Sequence, residues 1–147
     1  MKTLFLFISM MIFTGSTVDW PTNMQNAQVQ AKAEKKKILL NFSGSDWCGP
    51  CIKLKKNIFE SETFKTYSDK NLVLVHADFP RKKKNQLSKE QTVLNEKMAE
   101  LYNQEGKFPL TVLLDENGKV IKTWDGYPNS TIDAFIQDIH AATKGKI

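Results

Sequence analysis

An α/β fold, with a mixed central sheet of four or five strands and helices on both faces, is predicted by three observations. Apolar runs of strand length recur at residues 38–42, 72–77 and 110–114. Between and after them lie stretches with apolar residues at helical spacing. An Asn117-Gly118 pair separates two apolar runs, the strongest short hairpin signal. The 147 residues make one domain. A hydrophobic share of 41% and a charged share of 25% are those of a packed soluble chain, which excludes collagen-like, low-complexity and wholly disordered classes. The net charge of +5 favours acidic partners without requiring one.

In chain order, the first segment stands apart from the core. Lys2, an apolar stretch from Leu4 to Phe13 and the small polar exit Thr14-Gly15-Ser16-Thr17 have the anatomy of a secretory signal peptide. Roughly ten apolar positions are too few for a bilayer span of about twenty. Residues 1–18 are therefore expected to be a leader cleaved between Gly15 and Asp19, and residues 19–147 the folded domain, exported to the periplasm or secreted. The rival reading is an uncleaved anchor, since no clean Ala-x-Ala site is present.

Thr22-Asn23-Met24-Gln25 reads as a capping box opening a helix to about Glu34, with Met24, Ala27 and Ala31 on its apolar face. Ile38 to Phe42 reads as a strand leading into the Ser43-Gly44-Ser45 turn. A helix follows from Pro50 to Asn57 or Phe59, carrying Cys51, Leu54 and Ile58 at helical spacing. Ser61 to Lys70 is expected to be a short amphipathic or irregular link. Leu72 to Asp78 reads as a strand buried on both faces. Pro80-Arg81-Lys82-Lys83-Lys84-Asn85 is a cationic loop with no interleaved aromatics, so a solvated, partner-selecting decoration is expected rather than a nucleic-acid site. Ser88-Lys89-Glu90-Gln91 opens a helix bearing Val93, Leu94, Met98, Leu101 and Tyr102. Leu110 to Leu114 and Lys119 to Trp124 form the hairpin strands, and Ser130-Thr131-Ile132-Asp133 starts a last helix with Ile132, Phe135, Ile136 and Ile139 on one face.

The chain's two cysteines form one Cys-x-x-Cys pair, Cys48-Gly49-Pro50-Cys51. As a structural staple it is weak, because a loop of about four residues gains only ~2 kcal/mol against ~3 for fifteen. A zinc site needs two more ligands, and His76 and His140 fit no finger-like spacing. A redox dithiol is the reading that remains, with no metal and no cofactor. Pro50 suits a first helical turn, which leaves Cys48 at the helix N-terminus, where amide dipoles favour thiolate over thiol. Cys48 is then the nucleophile, and Cys51, one turn further in, is expected to be more buried and to resolve the mixed disulfide.

Trp47-Cys48-Gly49-Pro50-Cys51 after such a strand resembles the active-site signature of thioredoxin, and Phe108-Pro109-Leu110-Thr111-Val112 resembles that family's later proline-led strand. The likeness spans roughly residues 20 to 142 and points to exported, thioredoxin-like thiol:disulfide interchange proteins. It implies a cis bond at Pro109, a site shaped by Trp47, Gly49, Pro50 and Pro109, and pairing of an extended substrate segment beside Phe108 and Pro109. It also implies a monomer that acts on protein disulfides and is refreshed by a membrane or soluble thiol donor.

One departure stands out. The family's buried acid before the dithiol is replaced by Phe42 or, with a shifted register, by Asn41, and neither is a base. Asp46 is expected on the exposed loop. His76 stands as either a proton relay or a histidine satisfied within the sheet, and bound water is the expected proton carrier. The function expected is a disulfide reductase or isomerase. The alternatives are a dithiol oxidase of the same fold and a non-catalytic peptide-binding module.

Overall fold

The structure, a computed structural model, describes residues 22–145. The expected leader of residues 1–18 lies outside them. Among the described residues, no helix is long and apolar enough to cross a membrane.

The first described element is α1 (Met24–Glu34), whose cap is Asn23 rather than Thr22: the Asn23 side-chain oxygen Oδ1 accepts from the N–H groups of Gln25 and Asn26 at 2.9 and 3.4 Å. Both residue types are competent caps, and a two-residue reach places an asparagine oxygen well. Ala27 and Ala31 are fully buried, and Val29, off that face, is exposed. Next come β1 (Lys37–Ser43), α2 (Gly49–Leu54) and a π-helical turn over Lys55–Phe59. The single predicted helix thus changes pitch after Leu54. Glu60 N–H closes that turn on the Lys55 carbonyl at 2.9 Å, and both Ile58 and Phe59 are buried.

α3 (Glu62–Asn71) stands where a short amphipathic or irregular link was expected at Ser61 to Lys70. Its sequence is mostly polar, so periodicity is carried by Phe64, Tyr67 and Ser68 alone. Ser61 caps it by accepting from Phe64 N–H at 3.2 Å, and packing of Phe64 completes the helix. α3 runs directly into β2 (Leu72–Asp78). After the basic loop, α4 (Lys89–Tyr102) starts at Ser88, whose Oγ accepts from Gln91 N–H at 3.1 Å. The Gln91 side chain does not close the expected box; it donates to Thr22 O and Asn95 Oδ1. β3 (Leu110–Leu114), β4 (Val120–Asp125) and α5 (Ile132–Lys144) complete the described residues.

Among the described residues, four strands are ordered β2-β1-β3-β4, with β1 parallel to β2 and antiparallel to β3, and β3 antiparallel to β4. The β3–β4 turn is held by Asp115, whose carboxylate accepts from Asn117 and Lys119 N–H. Gly118 sits there at φ +86°, and a Cβ on it would meet the Gln28 and Tyr102 side chains, so space and backbone both require glycine.

Alternation along the strands sorts the core into two layers. Ile38, Leu40 and Phe42 face α1 and α4 with Val73, Val75, Leu110, Val112 and Met98. Leu39, Leu74 and Leu113 face the other way, onto Leu54, Ile58, Phe64, Phe135 and Ile139 from the dithiol helix, α3 and α5. A sheet covered on both sides leaves its functional surface at the ends of the strands and in their loops.

Candidate active site

β1 delivers the dithiol. Past Ser43 the chain makes a tight turn, with Trp47 and Cys48 N–H both donating to the Gly44 carbonyl at 3.2 and 2.9 Å. A Cβ on Gly44 would overlap the Trp47 indole, so the turn needs glycine for its ring rather than for its backbone. Cys48 is the N-cap of α2, extended at φ −92° and ψ 99°, and its Sγ accepts from Cys51 N–H at 3.3 Å. Pro50 occupies the first turn, where a missing N–H costs nothing.

Cys48 and Cys51 are joined as a disulfide with Cα atoms 5.2 Å apart. The expected contrast in burial is absent: Cys48 is 5% and Cys51 3% exposed. Gly49 and Pro50 between them are exposed. An added Cβ at Gly49 would meet open space, so this glycine is not demanded by packing within the chain.

The second segment arrives from the start of β3. The Phe108-Pro109 peptide is cis and Pro109 is buried, its carbonyl accepting from Gly126 N–H at 2.9 Å. Phe108 meets the Trp47 ring edge-on at 5.5 Å and Phe79 at 5.4 Å, and Phe79 in turn lies 6.5 Å from Phe42. The Trp47 indole N–H donates to the Phe79 carbonyl at 2.8 Å. Residues separated by some sixty positions, Trp47 and Phe108, are thus brought to one aromatic cluster beside the dithiol.

Sequence reasoning missed what lies on the other side of Trp47. The Arg81 guanidinium stacks 3.7 Å from the Trp47 ring centre. Asp46, expected merely on an exposed loop, accepts from Arg81 N–H, Lys82 N–H and the Asn85 side chain, each at 2.9 Å. These bonds, led by that from Arg81, hold its carboxyl below the ordinary aspartate range. The signal was present only as an acid two residues before the cysteine. Its partners lie 35 to 39 positions away.

Under α2 the sheet carries a polar row. Asn41 is paired in register with His76 on β2 and with Thr111 on β3, and alternation puts all three on the face that bears Leu39. The register question is settled in favour of Asn41: Phe42 faces the opposite layer. Asn41 is buried and its amide donates to Thr111 Oγ1 at 3.1 Å and Leu110 O at 3.3 Å, so it is hydrogen-bonded and carries no charge. Asp78, two residues along from His76, accepts from Ser45 N–H and Oγ at 2.9 and 2.5 Å.

Burial lowers the His76 pKa from its ordinary 6.5, with Asp78 opposing and Lys55 reinforcing the shift. The unfolded chain therefore takes up a proton on His76 at a higher pH than the folded one does. Stability is expected to fall as pH drops below 6.5 and to level off once folded His76 is also protonated. His76→Gln should remove this slope, seen in urea midpoints measured near pH 7 and near pH 5.5. An unchanged slope would mean that His76 titrates alike in both states.

Among the described residues, no group of three or more His, Cys, Asp or Glu side chains is placed to hold a metal ion. What the arrangement offers chemically is one sulfur pair, one helix start and an aromatic wall.

A family profile described as a thioredoxin-like domain matches residues 24–140. The chain is 34% identical over 130 residues, 88% of its length and 75% of the other's, to a disulfide bond reductase, DsbH, of Chlamydia pneumoniae. Its fold superposes on a solved DsbH oxidoreductase at TM-score 0.78 and 30% identity, covering 89% and 88% of the two chains. A disulphide isomerase from Xylella fastidiosa Temecula1 shares the fold at TM-score 0.59 and 19% identity, covering 81% of this chain and 87% of that one. With the paired cysteines at the head of α2, these likenesses establish that the chain belongs to the thioredoxin-like family and is a thiol-disulfide oxidoreductase.

Proposed function

We propose that this protein reduces or isomerises disulfides of partner proteins outside the cytoplasm, with Cys48 as the attacking sulfur and Cys51 as the resolving one. The observation that carries the assignment of roles is the Cys48 Sγ at the α2 N-cap, accepting the Cys51 N–H. Negative charge on that sulfur is favoured by the same amide and by the first-turn N–H groups. Cys51 lies inside the helix with its own amide committed to Cys48, and has no such donor.

The steps balance. Cys48 thiolate attacks one sulfur of the partner's disulfide, forming a Cys48–partner bond and expelling the other partner sulfur as a thiolate that takes up a proton. Cys51, giving up its proton, attacks Cys48 Sγ, closes the Cys48–Cys51 bond and expels the second partner thiolate. Two electrons pass from the dithiol to the partner, and the disulfide form is the product. In isomerisation the expelled partner thiolate attacks another disulfide within the partner, and the thiolate released there attacks the partner sulfur of the Cys48–partner bond, freeing Cys48 as a thiolate with no net transfer of electrons. Trp47, Gly49 and Pro50 frame the attacking sulfur, and the segment at Phe108 and Pro109 lies beside Trp47 to align the partner's backbone. A thiol donor, in the membrane or soluble, restores the dithiol of a monomeric protein. The signal-peptide pattern of residues 1–18 supports the compartment, and the reductase name borne by the Chlamydia pneumoniae relative supports the direction.

Equilibration with a glutathione redox buffer tests the direction. A Gly-Pro dipeptide between the cysteines predicts a potential near thioredoxin's, about −270 mV, and a value near about −120 mV would make the protein an oxidase instead.

A further inference from the structure

We propose that the cationic loop at residues 81–84 is a docking surface for an acidic segment lying next to the disulfide of the partner protein. The proposal rests on the reductase reading above and names the class of partner that the same site selects.

Three observations carry it. The first is charge: Arg81, Lys82, Lys83 and Lys84 are consecutive and exposed, and among the described residues none forms a salt bridge with a carboxylate. Asp46 contacts the loop through backbone N–H groups and Asn85, and Asp78 is engaged by Ser45, so one nearby carboxylate faces four cations.

The second is position. Asp46 and Trp47 immediately precede Cys48, and both grip the loop: Asp46 by three hydrogen bonds, Trp47 by the stacked Arg81 and by its indole bond to Phe79. Arg81 and the backbone of the loop are therefore anchored to the two residues that precede the attacking sulfur.

The third is preorganisation. A 3-10 turn over Lys83–Asn85, with Asn85 N–H on Lys82 O at 2.9 Å and Gln86 N–H on Lys83 O at 3.3 Å, fixes the backbone that carries the lysines. A loop kept only for solvation needs no such clamp. One already ordered loses less entropy when an extended carboxylate-bearing segment binds. The occupant is the disulfide partner itself, because Arg81 stacks on the Trp47 ring, which also meets Phe108 beside Pro109, so the cations adjoin the segment at which the partner is proposed to pair.

The test uses disulfide peptides of one sequence whose flanking residues are acidic, neutral or basic. At low salt the wild-type protein should show kcat/KM about tenfold higher for the acidic than for the neutral peptide, shrinking to within about twofold in high salt. Lys82→Glu/Lys83→Glu/Lys84→Glu should reverse the order between acidic and basic peptides while leaving the neutral peptide within about twofold. Turnover of all three peptides at equal rates, or a preference that survives the triple reversal, overturns the docking surface and leaves the reductase reading intact. Failure to reduce any of the peptides defeats both.

Discussion

Cys48→Ser is expected to lower disulfide turnover to the rate of uncatalysed exchange, whereas Cys51→Ser should leave the first step intact and stop at the mixed disulfide. The asymmetry follows from position within one helical turn. At 48 the sulfur takes the N-cap place and accepts the amide of residue 51, so charge there is stabilised before any partner arrives. A serine hydroxyl in that place accepts the same amide but does not ionise near neutrality and cannot open a disulfide. Residue 51 acts only after Cys48 is linked to the partner, so its removal spares attack and deletes release. The measurement is non-reducing electrophoresis of each variant after incubation with a disulfide-bonded protein. A slower-migrating, thiol-sensitive adduct with Cys51→Ser and none with Cys48→Ser is expected. Adducts forming equally on either variant would remove the assignment of roles, and unchanged turnover by Cys48→Ser would favour a peptide-binding module over an enzyme.

Phe64→Ala is expected to cost about 3–5 kcal/mol, the range for emptying a fully buried aromatic site. Phe64 is 0% exposed and lies 5.1 Å from the Phe59 ring and 6.4 Å from Phe135, joining the π-helical turn after the dithiol helix to α3 and α5. The cavity cannot be closed by one neighbour, because its lining comes from three helices and the sheet. The corresponding fall in Tm is roughly 10–20 °C. Val29→Ala, at a 69% exposed site on α1, should stay within about 0.5 kcal/mol and serves as the reference. Urea unfolding of the two variants checks the contrast. A loss below about 1 kcal/mol at Phe64 would show that the layer beneath the dithiol helix is not close-packed.

The segments that were legible in the sequence have their causes close by in the chain. The strand into the dithiol, the helix start at Cys48, the Ser88 cap and the Asn117-Gly118 turn each depend on residues within a few positions. Where local signals competed or were thin, the reading slipped. Asn23 outcompeted Thr22 as a cap, and α3 was missed because most of its positions are polar and its order comes from burying Phe64. Similarly, Val93 and Leu101 count toward an apolar helix in sequence but are 47% and 70% exposed, while Asn95 is buried between Asp78 and Gln91.

By itself the sequence determined the order of elements, the dithiol and its place at a helix start, since capping, spacing and periodicity act between near neighbours. Only the tertiary structure decided that Asn41 rather than Phe42 faces the dithiol helix, because a shift of one residue in a strand exchanges its two faces. It alone brought Asp46 and Trp47 to a loop some 35 positions away and Phe108 to their ring, since contacts across such distances depend on how strands pair and layers pack, which no local pattern encodes.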